Sequence, residues 1–200
     1  MPRQLLGTAI AANTITTTQI STVGDTVIPG MQFTMRNAVF GANSNTAQSI
    51  LGVGVTLASN TVYTYFGNFN FFKTAGASSH TMSFGFGGNA TISFCSCNLM
   101  VQDSAEGFIT ISTSRRPTQY TIETSSLGTF TVINSAGSTA FRTTNLQIQG
   151  SVRVTTGGTF IPQYQLSAAP GGGYTHSTAN FMGIYPVGAG TGNISVGTWA

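Results

Sequence analysis

Among the residues of this sequence whose type and spacing could support chemistry, the clearest pair is two cysteines, Cys95 and Cys97. Side chains two positions apart on a strand point the same way and lie roughly 6.5 to 7 Å apart, a poor geometry for a mutual disulfide. A zinc site would need two more ligands, which His80 and His176 supply only if the fold gathers all four. A cysteine nucleophile needs a histidine base within hydrogen-bond reach, and the spacing places none there. We therefore expect two buried free thiols and no metal site.

The carboxylates and glycine-rich segments predict no catalytic site either. Of the four acidic residues, only Asp103 and Glu106 are close in sequence, in a segment that is typical of a solvated turn between strands rather than of a glycosidase pair. The glycine-rich segment 85–88 lacks the lysine and the strand-to-helix setting of a phosphate-binding loop. We expect no catalytic residue, no cofactor and no enzymatic activity.

The composition indicates an all-β protein with few surface charges. The chain has 200 residues, enough for one domain plus extensions, and it is 40% hydrophobic with 14 Phe and 6 Tyr. Only 6% of the residues are charged, against about 25% in typical domains. Thr, Phe and Tyr favour strands, and the abundant Gly and Asn favour turns. Because so few charges would not prevent self-association, we expect partners to cover much of the surface.

The charge distribution and hydropathy argue against nucleic-acid and membrane partners. The net charge is +3, but the only adjacent basic pair is Arg115 with Arg116, and no basic stripe with interleaved aromatics is present. No apolar run approaches the roughly 18 residues of a membrane span. The segment 5–12 after Arg3 is a poor match to a signal peptide, so none is expected.

The period-2 hydrophobic pattern predicts about ten strands and no clear amphipathic helix, which indicates a sandwich or a barrel. In the longest strand, Tyr63, Tyr65, Phe69 and Phe71 share one face with Gly67. The predicted strands cover residues 32–40, 51–57, 62–72, 90–101, 108–112, 120–124, 129–133, 141–154, 158–167 and 181–188, and the segment 78–88 is expected to form a turn, a strand and a second turn.

Two further strand patterns assign inward and outward faces. In the strand at 90–101, Ile92 and Phe94 are expected on the face opposite Cys95 and Cys97. In the strand that begins at residue 158, bulky side chains share one face, and the Ile and Gln residues that alternate with them point to the other face. The members of that set are Phe160, Pro162, Tyr164 and Leu166.

Several segments, taken in order, resemble one family. They are Asn60-Thr-Val-Tyr, Ser79-His-Thr-Met-Ser-Phe, Phe86-Gly-Gly-Asn-Ala-Thr-Ile-Ser and Gly157-Gly-Thr-Phe-Ile-Pro-Gln-Tyr-Gln-Leu-Ser. Over about residues 50–188 the chain resembles the TNF/C1q-like antiparallel jelly-roll sandwich of tailed-bacteriophage structural proteins. The resemblance implies a homotrimer in which aromatic strand faces line the threefold interface. The residues that it suggests for this interface are Tyr63, Tyr65, Phe69, Phe71, Phe160, Tyr164 and Tyr185.

The sequence divides into an N-terminal arm at 1–30, a jelly-roll domain at 31–188 and a C-terminal tail at 189–200. In the arm, isoleucines recur every five residues, a period that fits neither a helix nor a simple strand. The arm is a flexible tail, an extended segment that docks apolar side chains on a capsid or a neighbouring subunit, or a short three-chain stem. Its docking residues would be Leu5, Leu6, Ile10, Ile15 and Ile20. Trp199 is an interface anchor if the tail is ordered, and otherwise part of a disordered end.

The resemblance, the low charge and the arm together predict a phage head decoration, or cement, protein. It would be a trimer bound to the major capsid protein of the same phage on the outer capsid surface, assembled in the host bacterial cytoplasm, and it would stabilise the shell. The alternative is a glycan-recognising receptor-binding tip of a tail fibre or tailspike. A secreted cytokine-like ligand or an extracellular matrix module is less favoured, because there is neither a convincing signal peptide nor a disulfide framework.

Overall fold

A computed structural model of the chain describes residues 30–36, 39–104, 117–134, 142–176 and 178–190. The chain divides into two units, Met1–Gln32 and Phe33–Ala200, and nearly all of the described residues belong to the second. The described residues form strands and no helix. These strands are β1 Gln32–Arg36, β2 Val39–Phe40, β3 Gln48–Ser49, β4 Val55–Leu57, β5 Thr61–Lys73, β6 Met82–Gly87, β7 Thr91–Ser104, β8 Thr118–Thr124, β9 Gly128–Ile133, β10 Arg142–Thr156, β11 Gly158–Leu166, β12 Thr175–His176 and β13 Asn180–Ala189.

Two β-sheets contain all of these strands. The larger sheet has eight strands in the order β1-β13-β5-β10-β7-β8, with β12 beside β5 and β2 beside β12. The smaller sheet has five strands in the order β3-β11-β6-β9, with β4 also paired to β11. The long pairs β5–β10, β7–β10, β5–β13 and β6–β11 are antiparallel. The prediction of an all-β, antiparallel sandwich is confirmed at this level.

The strand pairs are nested along the chain. Strand β1 neighbours β13, β3 and β4 pair with β11, β5 pairs with β10, and β6 pairs with β9. Early strands therefore pair with late strands in reverse order, as if one long hairpin had been folded across two sheets. The pair β7–β8 lies inside this nest and widens the larger sheet beyond β10.

Aromatic rings from the inner faces of both sheets form the core. Tyr65 of β5 packs edge to face on Phe86 of β6, with ring centroids 5.1 Å apart, and Phe86 stacks on Phe160 of β11 at 4.2 Å. Phe71 of β5 meets Tyr164 of β11 at 5.1 Å. The contacts of Tyr65 with Phe86 and of Phe71 with Tyr164 join the larger sheet to the smaller one, and all three contacts account for the period-2 aromatic pattern of the sequence.

Most of the aromatic residues suggested for a trimer interface belong to this core instead. Six of the seven side chains have relative exposures of 5% or less, and only Tyr185, on β13, is exposed, at 36%. Alternation identifies the residues that share a strand face, but it does not say whether that face meets the chain's own second sheet or another subunit. The six buried residues are Tyr63, Tyr65, Phe69, Phe71, Phe160 and Tyr164.

A β-bulge reverses one predicted face. The register along β7 and β10 pairs Cys95 with Val152 and Phe94 with Arg153, but Ile92 with Val154. Ser93 is the extra residue, so Ile92 returns to the same inner face as Cys95 and is buried, whereas Phe94 is 38% exposed. The expectation that Ile92 lies opposite Cys95 is therefore corrected.

The remaining strand predictions are confirmed with three differences. The expected strand at 32–40 is divided into β1 and β2, and the expected strand at 51–57 is replaced by β3 and β4, with buried Leu51 in the turn between them. Strand β12 was not expected. The predicted strand at 108–112, the arm side chains Leu5, Leu6, Ile10, Ile15 and Ile20, and Trp199 lie outside the described residues. None of the described residues forms a helix that is long and apolar enough to cross a membrane.

Candidate functional site

The two cysteines lie on the inner face of β7, beside Tyr65 of β5. Both thiols are free and buried. The Tyr65 hydroxyl lies 3.5 Å from the Cys95 sulfur and donates a hydrogen bond to the Ser96 carbonyl oxygen at 2.8 Å. Burial raises the pKa of Cys95 and raises that of Cys97 to about 12. Both side chains are therefore thiols near neutral pH and are unsuited to nucleophilic attack.

His80 does not act as a base for either cysteine, because each of its ring nitrogens is hydrogen-bonded to another group. Nδ1 lies 2.8 Å from the Ser78 carbonyl oxygen, and Nε2 lies 2.8 Å from the Tyr174 hydroxyl. The side chain is 3% exposed. Burial is the main cause that lowers the pKa of His80; the cations of Lys73 and Arg142 lower it further, and the Ser78 bond opposes them. The ring is neutral at pH 7.

A cluster of charged side chains lies near His80, at the end of the sandwich where β5 and β7 end and β10 begins. Arg142, at the start of β10, forms a bidentate ion pair with Asp103 at the end of β7, and Thr144 donates to the same carboxylate at 2.9 Å. Lys73, at the end of β5, is fully buried and donates to the Gly76 carbonyl oxygen at 2.7 Å. Burial, and then the neighbouring Arg142, lower the pKa of Lys73. Asp103 is thus part of an ion pair, not of the solvated turn that the sequence predicted.

Glycines let the loops at this end approach one another closely. Gly76 and Gly171 have φ angles of 76° and 81°, which favour glycine, and a side chain on Gly76 would collide with the backbone of Gly171. Ser78 N donates to the Pro170 carbonyl oxygen at 3.3 Å across the same contact. The charged cluster and the glycine contact together fix the loops that follow β5 and β11.

The predicted chemistry residues do not assemble into a metal or catalytic site in the described part of the chain. No group of three or more His, Cys, Asp or Glu side chains that could hold a metal is found there. The side chains of His176 and Glu106 lie outside the described residues. The described cysteines and His80 belong to two separate hydrogen-bonded groups, as the preceding distances show.

The outer face of the eight-stranded sheet is the most distinctive surface among the described residues. Its central part consists of three adjacent rows of outward side chains that carry no charge. The first charged side chains on the outer face of these strands are Glu123 and Arg153, one and two rows further on. The three rows contain Asn70, Asn145 and Gln102; Phe181, Asn68, Gln147, Met100 and Gln119; and Phe66, Gln149, Asn98 and Thr121.

A groove of about 380 Å³ runs across this face from β13 to β8. Phe66 and Phe181 form its wall at one end, and Met100 and Gln119 line the other. The groove was not predicted from the sequence. The signal was present in the outward positions of β5 and β10, where amides alternate with core residues in Asn68-Phe-Asn and Asn145-Leu-Gln-Ile-Gln.

A margin of exposed apolar side chains lies beside the groove, on β1 and β13. We call it the apolar margin; its members are Phe33, Met35, Tyr185 and Val187, with exposures of 49%, 58%, 36% and 37%. The Phe33 ring stacks on Phe181 at 5.7 Å, so the margin adjoins one end of the groove. Clustered exposed apolar residues are a common mark of a protein–protein contact.

The chain matches no protein-family model, and no curated protein is significantly similar to it.

Proposed function

We propose that this protein is a structural protein of a tailed-bacteriophage virion, a trimeric jelly-roll subunit that binds the outer surface of the capsid and stabilises it. The nested strand pairing supports the jelly-roll part of the proposal. In a jelly roll, an antiparallel hairpin is wrapped so that early and late strands pair across two sheets, which is the pairing of β1–β13, β3/β4–β11, β5–β10 and β6–β9. The β7–β8 pair is then an insertion that widens one sheet.

The observation that carries the structural role is the apolar margin in a chain with so few charges. Exposed Phe33 and Met35 on β1 and Tyr185 and Val187 on β13 would meet water in a monomer. The chain has seven basic and four acidic residues to keep it soluble, and Asp103 and Arg142 are used in an internal ion pair. Burial of the margin between subunits removes this apolar surface from water, at about 25 cal/mol per Å².

The oligomer is tested by the molar mass of the purified protein in solution. We expect light scattering to give three times the chain mass, and we expect the double substitution Phe33→Ser with Met35→Ser to give monomers that keep the native circular dichroism. Phe160→Ala is the matched contrast, because its ring is in the core: it should lower the free energy of unfolding by about 3 to 5 kcal/mol without a direct effect on subunit contact. A trimer that survives the double substitution would contradict the role of the margin.

The attachment to capsids is tested through the arm. The full-length protein should co-sediment with capsids that lack it, and the triple substitution Ile10→Ser, Ile15→Ser and Ile20→Ser should abolish this binding while the trimer remains. Arms that become ordered on docking lose about 1 to 2 kcal/mol of backbone entropy per residue, which buried apolar side chains must offset. A control triple substitution at Thr14, Thr16 and Thr18 to serine keeps these isoleucines. Unchanged capsid occupancy in the isoleucine variant would refute the proposed attachment.

A second candidate function is the receptor-binding tip of a tail fibre, which the amide-lined groove favours. The position of this chain in an image of the intact virion separates the two candidates. Density at threefold or quasi-threefold positions of the capsid supports the decoration protein, and density at the end of a tail fibre supports the receptor-binding tip.

A further inference from the structure

We propose that the groove on the outer face of the eight-stranded sheet binds a short neutral oligosaccharide. Its volume of about 380 Å³ lies within the range of about 300 to 1,000 Å³ that is usual for small-molecule sites. The proposal concerns the surface of the described domain, so it goes beyond the virion role and does not depend on where the protein sits on the particle.

The amides of the groove match the hydrogen-bonding chemistry of sugar hydroxyls. A hydroxyl both donates and accepts, and a primary amide offers two N–H donors beside a carbonyl acceptor. Among the described residues, no side-chain hydrogen bond engages Gln119, Gln147 or Gln149, and the last two are exposed on neighbouring rows of β10. Vicinal hydroxyls of a sugar can be bridged by amides that line adjacent rows in this way.

Two further amides are held in fixed orientations by their neighbours. Asn145 Nδ2 donates to Asn68 Oδ1 at 2.8 Å and to Asn70 Oδ1 at 2.6 Å. The Thr121 hydroxyl donates to Asn98 Oδ1 at 3.1 Å. These bonds turn the amide nitrogens of Asn68 and Asn98 toward other acceptors, so two donors at the groove are oriented before any ligand binds. Such preorganisation reduces the entropic cost of binding.

Phenylalanine rings supply an apolar wall at one end of the groove. Phe66 is 36% exposed and meets Phe181 edge to face, with centroids 6.3 Å apart at an angle of 66°. Phe33 stacks on Phe181 and fixes that ring. The face of an aromatic ring carries partial negative charge and attracts the weakly positive C–H groups of a sugar ring. Amides beside an aromatic wall are suited to a ligand with both hydroxyl and C–H faces.

The absence of charge in the lining selects a neutral ligand. None of the residues that line the groove is charged, and Glu123 and Arg153 lie outside it. A phosphate, sulfate or uronate would enter without a counter-charge, which disfavours acidic sugars and nucleic acids. A second copy of this chain fits less well, because its surface would bury the glutamine amides. Burial of these amides costs free energy unless each one forms hydrogen bonds with the second copy. The apolar margin offers a subunit contact without that cost.

The test is binding of the full-length protein to an array of immobilised oligosaccharides of two to four units. The array carries neutral hexose and N-acetylhexosamine sugars beside sialylated and uronate-containing ones. We expect binding to neutral members only, weakened roughly tenfold by Gln149→Ala or Phe66→Ala, as expected for the loss of about 1.4 kcal/mol. Gln163→Ala, on the outer face of the five-stranded sheet, is the matched control and should bind as the unmodified protein does.

Asn98→Trp gives a second test, because the indole would fill the groove from β7. We expect it to abolish oligosaccharide binding and to leave the oligomeric mass unchanged. The proposal is overturned if no neutral oligosaccharide binds above the acidic ones, or if Gln149→Ala and Phe66→Ala bind like Gln163→Ala. A change of oligomeric mass in Asn98→Trp would also overturn it, since the groove would then be covered by a second copy. Loss of capsid binding alone would bear on the virion role and not on the groove.

Discussion

His80 Nε2 lies 2.8 Å from the Tyr174 hydroxyl, a contact that joins two loops at one end of the sandwich. Because the Ser78 carbonyl oxygen can only accept, Nδ1 carries the ring hydrogen, and Nε2 accepts the hydrogen bond that the Tyr174 hydroxyl donates. The Tyr174 carbonyl oxygen in turn accepts from Gly41 N at 2.6 Å. A neutral imidazole therefore connects the segment before β6 to the segment before β12.

Acidification should destabilise the fold through His80. Its pKa in the folded chain lies below the ordinary value of 6.5, because burial and the cations of Lys73 and Arg142 disfavour the imidazolium more than Asp103 and the Ser78 bond favour it. As the pH falls from 6.5 toward the folded pKa, the unfolded chain binds a proton that the folded chain does not. The free energy of unfolding should then decrease by at most about 1.4 kcal/mol per pH unit, measured by urea unfolding between about pH 7.5 and about pH 5.5.

Two histidine variants isolate this effect. His80→Gln should be less stable than the unmodified protein at neutral pH and should lose most of the decrease on acidification. His176→Gln removes the chain's other histidine, and this variant should show the same decrease in stability on acidification as the unmodified protein. An equal decrease in His80→Gln would show that another group titrates.

Removal of Asp103 should destabilise the fold through the arginine that it leaves behind. Arg142 is 5% exposed, and its guanidinium is paired with the Asp103 carboxylate, which also accepts from Thr144. Loss of one partner of a buried pair leaves an uncompensated charge, so Asp103→Ala should lower the free energy of unfolding by about 3 kcal/mol. Glu123→Ala removes an exposed carboxylate from the larger sheet, and a change within about 0.5 kcal/mol is expected.

Urea unfolding at neutral pH compares these two variants. The double variant Asp103→Ala with Arg142→Met should recover part of the loss, because the buried charge is removed together with its partner. If Asp103→Ala is as mild as Glu123→Ala, the ion pair contributes little to the stability of this end.

The alternation of the sequence was sufficient for most of the strands. Phe160, Pro162, Tyr164 and Leu166 were predicted to share a face, and all four are buried on the inner face of β11. Their period of two repeats without interruption, so register and face follow directly. Ile92 failed the same rule because one extra residue, invisible in the pattern, shifts the β7 register against β10.

The candidate site depended on information that local pattern does not contain. Asp103 and Arg142 are 39 residues apart in sequence, and only the antiparallel pairing of β7 with β10 brings them together. The aromatic residues of β5 share one face, as the alternation predicts, but this face lies in the core of the chain and not at the subunit interface that the resemblance suggested. The amides on its opposite face, Asn68 and Asn70, became visible as a surface only once β10 and β7 were set beside them.

The thiols should be unreactive until the protein unfolds. Burial raises the pKa of Cys97 to about 12 and that of Cys95 in the same direction, so at about pH 8 only about one Cys97 side chain in ten thousand is a thiolate. Titration with a thiol reagent should therefore label neither residue in the native protein and both in about 6 M guanidinium, where denaturant exposes the core. Rapid labelling of one equivalent in the native state would contradict the burial of these side chains.

A side chain at Gly150 should disrupt the contact between β5, β7 and β10. Gly150 lies opposite Tyr65 on one side and Cys97 on the other. A Cβ atom there would lie 2.7 Å from the Tyr65 hydroxyl and closer still to the Ser96 carbonyl oxygen, which accepts the hydrogen bond from that hydroxyl. Overpacking of this kind should lower the free energy of unfolding by about 1 to 3 kcal/mol in Gly150→Ala, measured by thermal and urea unfolding.

Gly128, at the start of β9, is the matched control for Gly150, because a Cβ atom there meets no atom within 4 Å. Gly128→Ala should change the free energy of unfolding by less than about 1 kcal/mol, and in the stabilising direction, since alanine restricts the unfolded chain more than glycine does. The double variant Gly150→Ala with Tyr65→Phe should be no more stable than Gly150→Ala alone, because the nearest atom to the new methyl group, the Ser96 carbonyl oxygen, remains in place and loses the hydrogen bond from the Tyr65 hydroxyl. Similar losses in Gly150→Ala and Gly128→Ala would mean that the three strands do not approach as closely as their register requires.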